Sequence, residues 1–260
     1  MSLHQKLLQL AANNQPIRVG LIGAGKFGSM YLSQVPNTPG VHLAGIADLS
    51  PEGARRNLVR VGWQDEQSDA TSFDDALKTG KTCISDDWEA LVRHPAIDVV
   101  VECTGHPIAA VDHCLLAFKN GKHVVNVTVE ADAFCGPLLA KKAEEAGVVY
   151  SLAFGDQPAL ICDLVDWART CGFPVVAAGR GHKWLPHFSQ STPDTVWGKL
   201  LPVEKSMKFG GLPLGLAHNV RVIRPVRQGQ SLCWDDVAVD KTTHACRIRR
   251  ELEAQFAAAT

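Results

Sequence analysis

The stretch Ile17-Arg18-Val19-Gly20-Leu21-Ile22-Gly23-Ala24-Gly25-Lys26-Phe27-Gly28 decides the fold class. Ile17 to Ile22 form a short, largely apolar run bounded by Pro16 and Gly23, which reads as a buried strand. Gly23, Gly25 and Gly28 follow in GxGxxG spacing, and residues 25–35 carry helical periodicity. A second apolar run, VHLAGIA at 41–47, leads directly into Asp48, twenty residues after Gly28. Strand, glycine turn, helix and acid in that order make the dinucleotide fingerprint in the context it requires. Gly23 permits the tight turn, Gly25 lets the backbone approach a pyrophosphate, and Gly28 allows the helix to pack closely. Lys26 and Phe27 open the helix, whose N-terminus turns partial positive charge toward phosphate. Asp48 is placed to accept hydrogen bonds from the adenosine ribose diol, which favours NAD over NADP. Arg55 and Arg56 lie on the next helix and either meet a 2′-phosphate or form a solvated face.

Outward from this unit the alternation continues. Residues 3–12 have helical spacing, and Ser50-Pro51-Glu52 opens a helix with Ser50 as N-cap and Pro51 at its first position. TCIS (82–85) is a weak strand, and a helix runs from Asp86 or Asp87 through Arg93. Strands are predicted at IDVVVEC (97–103), HVVNVT (123–128), VVYSLAF (148–154) and VVAAG (175–179). Helices are predicted at 107–121, 136–147 and 158–172, while the polar residues 62–81 fit no element. Strands alternating with helices imply a parallel, doubly wound sheet covered on both faces. Ligands of such sheets lie beyond the carboxyl ends of the strands, near the switch in strand order. Cys103, Thr104 and Gly105, after the fourth strand, should therefore border the dinucleotide, with Thr104 also serving as a helix cap. Past residue 183 the alternation stops, and residues 205–240 read as a small β-rich module with a turn at Gly229.

Composition excludes several classes. The chain has 260 residues, of which 46% are hydrophobic and 20% charged, ordinary globular usage rather than that of a disordered chain. No apolar run approaches the ~20 residues of a membrane helix, and the N-terminus has no secretory pattern. A cytoplasmic location is the expectation. The eight cysteines contain no CxxC pair, so buried, inert thiols are expected. The net charge of −1 gives no bulk pull toward nucleic acid. Residues 1–198 carry 16 basic and 21 acidic side chains, a net of −5, and residues 199–260 carry 10 and 6, a net of +4. That asymmetry fits a separate small module or an anionic partner.

VGLIGAGKFG, VVVECTGHP, GKHVVNVTVEAD and GVVYSLAFGDQPA together resemble the N-terminal half of homoserine dehydrogenase-like oxidoreductases that carry a C-terminal SAF domain. The tail KSMKFGGLPLGLAHNVRVIRPVRQGQSLCWDDVAV resembles that SAF domain. The resemblance implies a Rossmann domain over 1–157, a remnant of a substrate or oligomerisation domain over 158–198, and an SAF-like β-rich module over 199–260. It implies an NAD(P)-dependent oxidoreductase, and the family includes a reductoisomerase-like branch acting on deoxyxylulose phosphate. Homoserine dehydrogenases place a lysine after the fifth strand, in a context such as GKHVVTANK; Glu130 stands there in this chain. Family members are also longer, with a lobe inserted where Trp197-Gly198-Lys199-Leu200 here run on directly.

Hydride transfer needs a group that handles the alcohol proton at the carboxyl edge of the sheet. Lys183 is the first candidate and His182 the second, with Glu130 and Asp156 after neighbouring strands. Glu130 is alternatively a helix-start contact, and Lys183 a surface lysine. A reductoisomerase would add a divalent ion between Glu130 and Asp156. His182 and His187, with Pro186 between them, make a poor metal pair, and no zinc site is expected. Three functions follow: hydride transfer to or from a small polar carbonyl or hydroxy compound, a sugar-phosphate reductoisomerase, or a dinucleotide-binding module without turnover because the substrate lobe is shortened. A small-molecule substrate is the expected partner, nucleic acid and membrane are not, and a homo-oligomer is left open.

Overall fold

The structure, a computed structural model, describes residues 3–153, 159–178, 201–227 and 229–259. The chain divides into two compact units, Met1–Ser151 and Leu152–Thr260.

The first unit begins with helix α1 (Leu3–Ala12), strand β1 (Ile17–Ile22), helix α2 (Lys26–Gln34), strand β2 (Val41–Ala47) and helix α3 (Pro51–Arg60). Helix α4 (Phe73–Thr79), strand β3 (Cys83–Ser85), helix α5 (Trp88–Arg93), strand β4 (Val99–Glu102) and helix α6 (Pro107–Lys119) follow. Strand β5 (His123–Asn126), helix α7 (Val129–Glu145) and strand β6 (Tyr150–Leu152) complete a six-stranded sheet of order β3-β2-β1-β4-β5-β6. β1 pairs in parallel with both β2 and β4, so the strand order reverses at β1. That reversal opens the crevice in which doubly wound sheets hold their ligands.

Apolar side chains on both faces of the strands explain the helix-covered sheet. Leu21, Leu32, Ile46 and Leu58 are fully or almost fully buried in one shared cluster. On the other face, Gly20 and Gly45 leave room for Leu91 of α5: a Cβ on Gly45 would lie 2.5 Å from Leu91 Cδ1 and 2.7 Å from Phe73 Cε1. Ser50 caps α3 by accepting from Gly53 N at 3.1 Å, with Pro51 at the first helical position.

Several elements differ from the sequence reading. The polar stretch 62–81 contains α4, whose N-cap Ser72 accepts from Asp75 N at 3.1 Å. α7 starts at Val129 rather than Gly136 and runs through Pro137. A proline marks a helix start only when its missing N–H falls in the first turn; here the helix tolerates the lost bond because its buried face, including Phe134, Leu138 and Leu139, carries on past it. The strand predicted at 175–179 does not form over its described residues, which lack regular structure and leave Val176 95% exposed.

In the second unit, helix α8 (Ala159–Thr170) is followed after residue 200 by helix α9 (Val203–Lys208), strands β7 (Arg221–Val222) and β8 (Val237–Ala238), and helix α10 (His244–Ala259). β7 and β8 pair antiparallel over two residues each, so this region holds less strand than its sequence predicts. Pro225 interrupts the apolar run after β7 and has no N–H to give a ladder. The missed element is α10, which buries Ala245, Ile248 and Leu252 at helical spacing and pairs Arg249 with Glu253 at 2.8 Å. Arg250 lies 3.7 Å from the centroid of the buried Trp234 ring.

Candidate dinucleotide site

Each glycine of the turn after β1 meets a different physical demand. Gly23 has φ +91°, in the left-handed region, and a Cβ there would lie 2.9 Å from the carbonyl carbon and oxygen of Cys103. The turns after β1 and β4 thus touch through a gap that only glycine fits. A Cβ on Gly28 would overlap the Gly23 carbonyl oxygen, so α2 is seated directly on the turn. Gly25, the N-cap of α2, is the opposite case: a Cβ there would meet nothing within 4 Å. The turn is tight where it touches protein and open where a phosphate would approach. The first-turn N–H groups of the nine-residue α2 point toward that opening. Lys26 is exposed beside it, whereas Phe27 packs into the core cluster, so Phe27 serves the turn through its backbone.

Asp48 does more than close β2. Its Oδ2 accepts from Ala24 N at 2.8 Å, within the glycine turn, and its Oδ1 accepts from Ser50 N at 2.9 Å. The carboxylate ties the turn to the start of α3, and its remaining lone pairs are available to a ribose diol. Asn57 reinforces the same junction, donating from Nδ2 to Ala24 O at 2.8 Å. Arg55 turns toward Ser68, donating from Nη1 to its carbonyl at 2.9 Å. Arg56 instead brings Nη2 within 3.7 Å of the Cβ position of Gly53, over the first turn of α3.

The turn after β4 is organised by a residue that the sequence reading did not single out. Glu102 ends β4 with 0% exposure. Its Oε1 accepts from Thr104 Oγ1 at 2.5 Å and from Thr104 N at 3.2 Å, and its Oε2 accepts from Thr128 Oγ1. Thr128 Oγ1 also accepts from Gly105 N at 3.0 Å, which fixes Gly105 at φ +68°. His113 Nδ1 lies 3.2 Å from Glu102 Oε1, and its ring stands edge-on to Trp88 with centroids 4.4 Å apart. Thr104 is not the helix cap that its position suggests. The cap of α6 is His106, whose Nδ1 accepts from Ala109 N at 3.2 Å, while Thr104 Oγ1 accepts from His106 N at 3.2 Å. Cys103 is buried at this turn; burial first, and the Glu102 charge second, push its thiol well above the usual range, so it is no nucleophile. The detectable signal for Glu102 was an acidic side chain closing a strand otherwise apolar on both faces.

The polar network extends inward. Asn126 Oδ1 accepts from Thr128 N at 3.0 Å, and its Nδ2 donates to Tyr150 Oη at 2.9 Å. Tyr150 donates to Asp132 Oδ1 at 3.0 Å. Asp132 fits against the helix because Gly136 has no side chain to occupy that space. Burial raises the Asp132 pKa, partly offset by the Tyr150 hydrogen bond. A raised carboxylate pKa contributes stability below the unfolded value and loses it as pH rises through the folded value. Asp132→Asn should therefore stabilise the protein at pH 7 relative to wild type and give a smaller gain near pH 3. Urea midpoints at the two pH values measure it; an equal gain at both would refute the raised pKa.

Of the expected proton-transfer groups, Glu130 is exposed in the first turn of α7, where its charge complements the helix dipole. The helix is entered through Thr128, so Glu130 is not its N-cap. Asp156, His182 and Lys183 lie outside the described residues, and so does the convergence of Asp156 with Glu130 on a metal ion.

Two family models match the chain. The homoserine dehydrogenase NAD-binding domain matches residues 23–152, half of the chain, and the catalytic domain of the oxidoreductase DRL matches residues 155–210. Homoserine dehydrogenase of Pseudomonas aeruginosa is 31% identical over 135 residues, covering 52% of this chain and 28% of its own length. That of Methylobacillus glycogenes is 30% identical over 145 residues, covering 51% of this chain and 30% of its own length. The crystal structure of a homoserine dehydrogenase from Thiobacillus denitrificans aligns with a TM-score of 0.42 at 23% identity, over 53% of this chain and 29% of that one. The matches thus span about three tenths of the length of these relatives. Because the glycine turn, Asp48 and the turn after β4 all fall within the half of the chain that the first family model covers, the chain belongs to the homoserine dehydrogenase NAD-binding domain family.

Proposed function

We propose that the chain is an NAD-dependent oxidoreductase that moves a hydride between the cofactor and a small polar carbonyl or hydroxy compound. The observation that carries this reading is the glycine turn held by Asp48, tight against protein at Gly23 and Gly28 and open at Gly25. The residues fit a dinucleotide. The N-terminus of α2 would take the pyrophosphate, Asp48 the adenosine ribose, and Cys103 to Gly105 would border the half nearest the chemistry. Bound there, the cofactor would supply or accept the hydride. The chain's own part is to orient the ring, exclude water and handle the alcohol proton. Lys183 is assigned that proton, with Glu130 and Asp156 as supporting acids; the match of residues 155–210 to an oxidoreductase catalytic domain supports placing Asp156 and Lys183 in the reactive region. Residues 199–260 are read as an SAF-like module on sequence resemblance.

A screen of sugar-acid and amino-acid alcohols with both cofactors, with and without Mn²⁺ or Mg²⁺, tests the reaction. Turnover lost in Lys183→Ala supports the assignment. Dinucleotide binding with no turnover on any alcohol would leave a binding module, and strict dependence on Mn²⁺ or Mg²⁺ would favour the reductoisomerase.

NAD is proposed over NADP because Asp48 ends β2 beside the glycine turn, bonded to Ala24 N, and Arg55 is engaged with Ser68. Asp48→Ala removes the repulsion toward a 2′-phosphate and also an acceptor of the glycine turn. Affinity for NAD should fall by roughly tenfold or more, while that for NADP falls less. Wild type binding NADP more tightly than NAD would show that Arg56 decides the pocket.

A further inference from the structure

Among the described charged side chains of the first unit, Glu102 is the most completely buried, at 0% exposure. A carboxylate at 0% exposure is costly unless its lone pairs are filled. Four contacts fill them: two threonine hydroxyls, the Thr104 N–H and His113 Nδ1. Among the described residues no lysine or arginine forms an ion pair with it; the basic side chain in contact is His113, with Nδ1 3.2 Å from Oε1. An ionised Glu102 accepting from Nδ1 of a neutral His113 is the charge state on which the inference rests.

The position of that charge matters. A dinucleotide lies across the two halves of such a sheet, one mononucleotide on each. β1 to β3 carry the glycine turn and Asp48, so the adenosine half belongs there. β4 to β6 then underlie the nicotinamide half. Glu102 ends β4, and Thr128 follows β5 by two residues. The carboxylate therefore stands directly behind the turn that borders the nicotinamide half, in a medium that screens it poorly. The oxidised ring carries a positive charge that the reduced ring lacks.

We infer that Glu102 sets the preference of this site for the oxidised over the reduced dinucleotide, and that through Thr104 and Thr128 it also holds the turn against which either form rests. It is a positioning residue and a source of field, with no role in proton transfer. The inference rests on the dinucleotide reading above.

Calorimetric titration of the full chain with NAD⁺ and with NADH separates the two roles. Wild type should bind NAD⁺ at least as tightly as NADH. Glu102→Gln keeps the shape and removes the charge, and should move the ratio of the two dissociation constants about tenfold toward NADH, the order expected of a unit charge acting across roughly a nanometre of protein. Glu102→Asp, which restores the charge, should return most of that shift. Thr104→Val keeps the charge and loses one hydroxyl, and should weaken both forms alike. Wild type favouring NADH tenfold would overturn the inference whether or not any variant folds. A folded Glu102→Gln with an unmoved ratio, or Thr104→Val shifting the ratio as far as Glu102→Gln, would overturn it with the dinucleotide reading intact. Wild type that binds neither form would overturn both.

Discussion

Gly25→Val is expected to abolish dinucleotide binding while leaving the fold intact. A Cβ at Gly25 meets no atom within 4 Å beyond its chain neighbours, and the residue's φ of −70° lies outside the left-handed region. The substitution therefore sets no Cβ against the surrounding protein. The valine instead occupies the space through which a pyrophosphate reaches the N–H groups of α2. Losing two charge-assisted hydrogen bonds at about 1.5–3 kcal/mol each corresponds to a fall in affinity of at least ~100-fold. Calorimetry reads the affinity and thermal melting reads the fold. Unchanged affinity in a folded variant would mean that the opening at Gly25 is not the phosphate site.

Three residues on, the same kind of change has the reverse effect. Gly28→Ala places a methyl group on the Gly23 carbonyl oxygen, a backbone atom that cannot rotate away. Either α2 lifts off the turn or the turn flattens. Overpacking of this kind costs about 1–3 kcal/mol, and in this chain it should appear as a lowered denaturation midpoint even without ligand. Binding should weaken as well, because the helix N-terminus moves. A variant as stable as wild type would show that α2 does not rest on Gly23 as described. The pair of substitutions thus distinguishes a glycine kept for its ligand from one kept for its neighbour.

Much of the first unit was legible because its signals are local. A GxGxxG between a buried strand and a helix, with Asp48 after the next strand, specifies both the turn and what lies opposite it. Ser50 and Pro51 marked the start of α3 by capping chemistry alone. The errors have equally physical causes. Pro137 imitates a helix start, yet lies inside α7 because the buried face of the helix outweighs one missing hydrogen bond. Val175 and Val176 look like a strand but find no ladder, and strand propensity without a partner stabilises nothing. Glu102 escaped notice because its meaning depends on Thr128, which is 26 residues away, and on His113, on a different element. No spacing rule connects a strand terminus to a hydroxyl on the neighbouring turn. Likewise, the place of Asp48 at the end of β2 was legible in sequence, but its grip on Ala24 N was not. Sequence pattern located the elements that form the site, while the contacts that hold those elements in place required the folded chain.

Amide chemical-shift mapping of the isotopically labelled chain during titration with NAD⁺ shows where the dinucleotide binds. Large perturbations are expected at Gly23, Gly25, Lys26 and Phe27, at Asp48, and at Thr104 and Gly105, three stretches far apart in sequence that meet at the carboxyl edge of β1, β2 and β4. Saturation with no perturbation at the glycine turn, or with perturbations confined to the second unit, would contradict that placement.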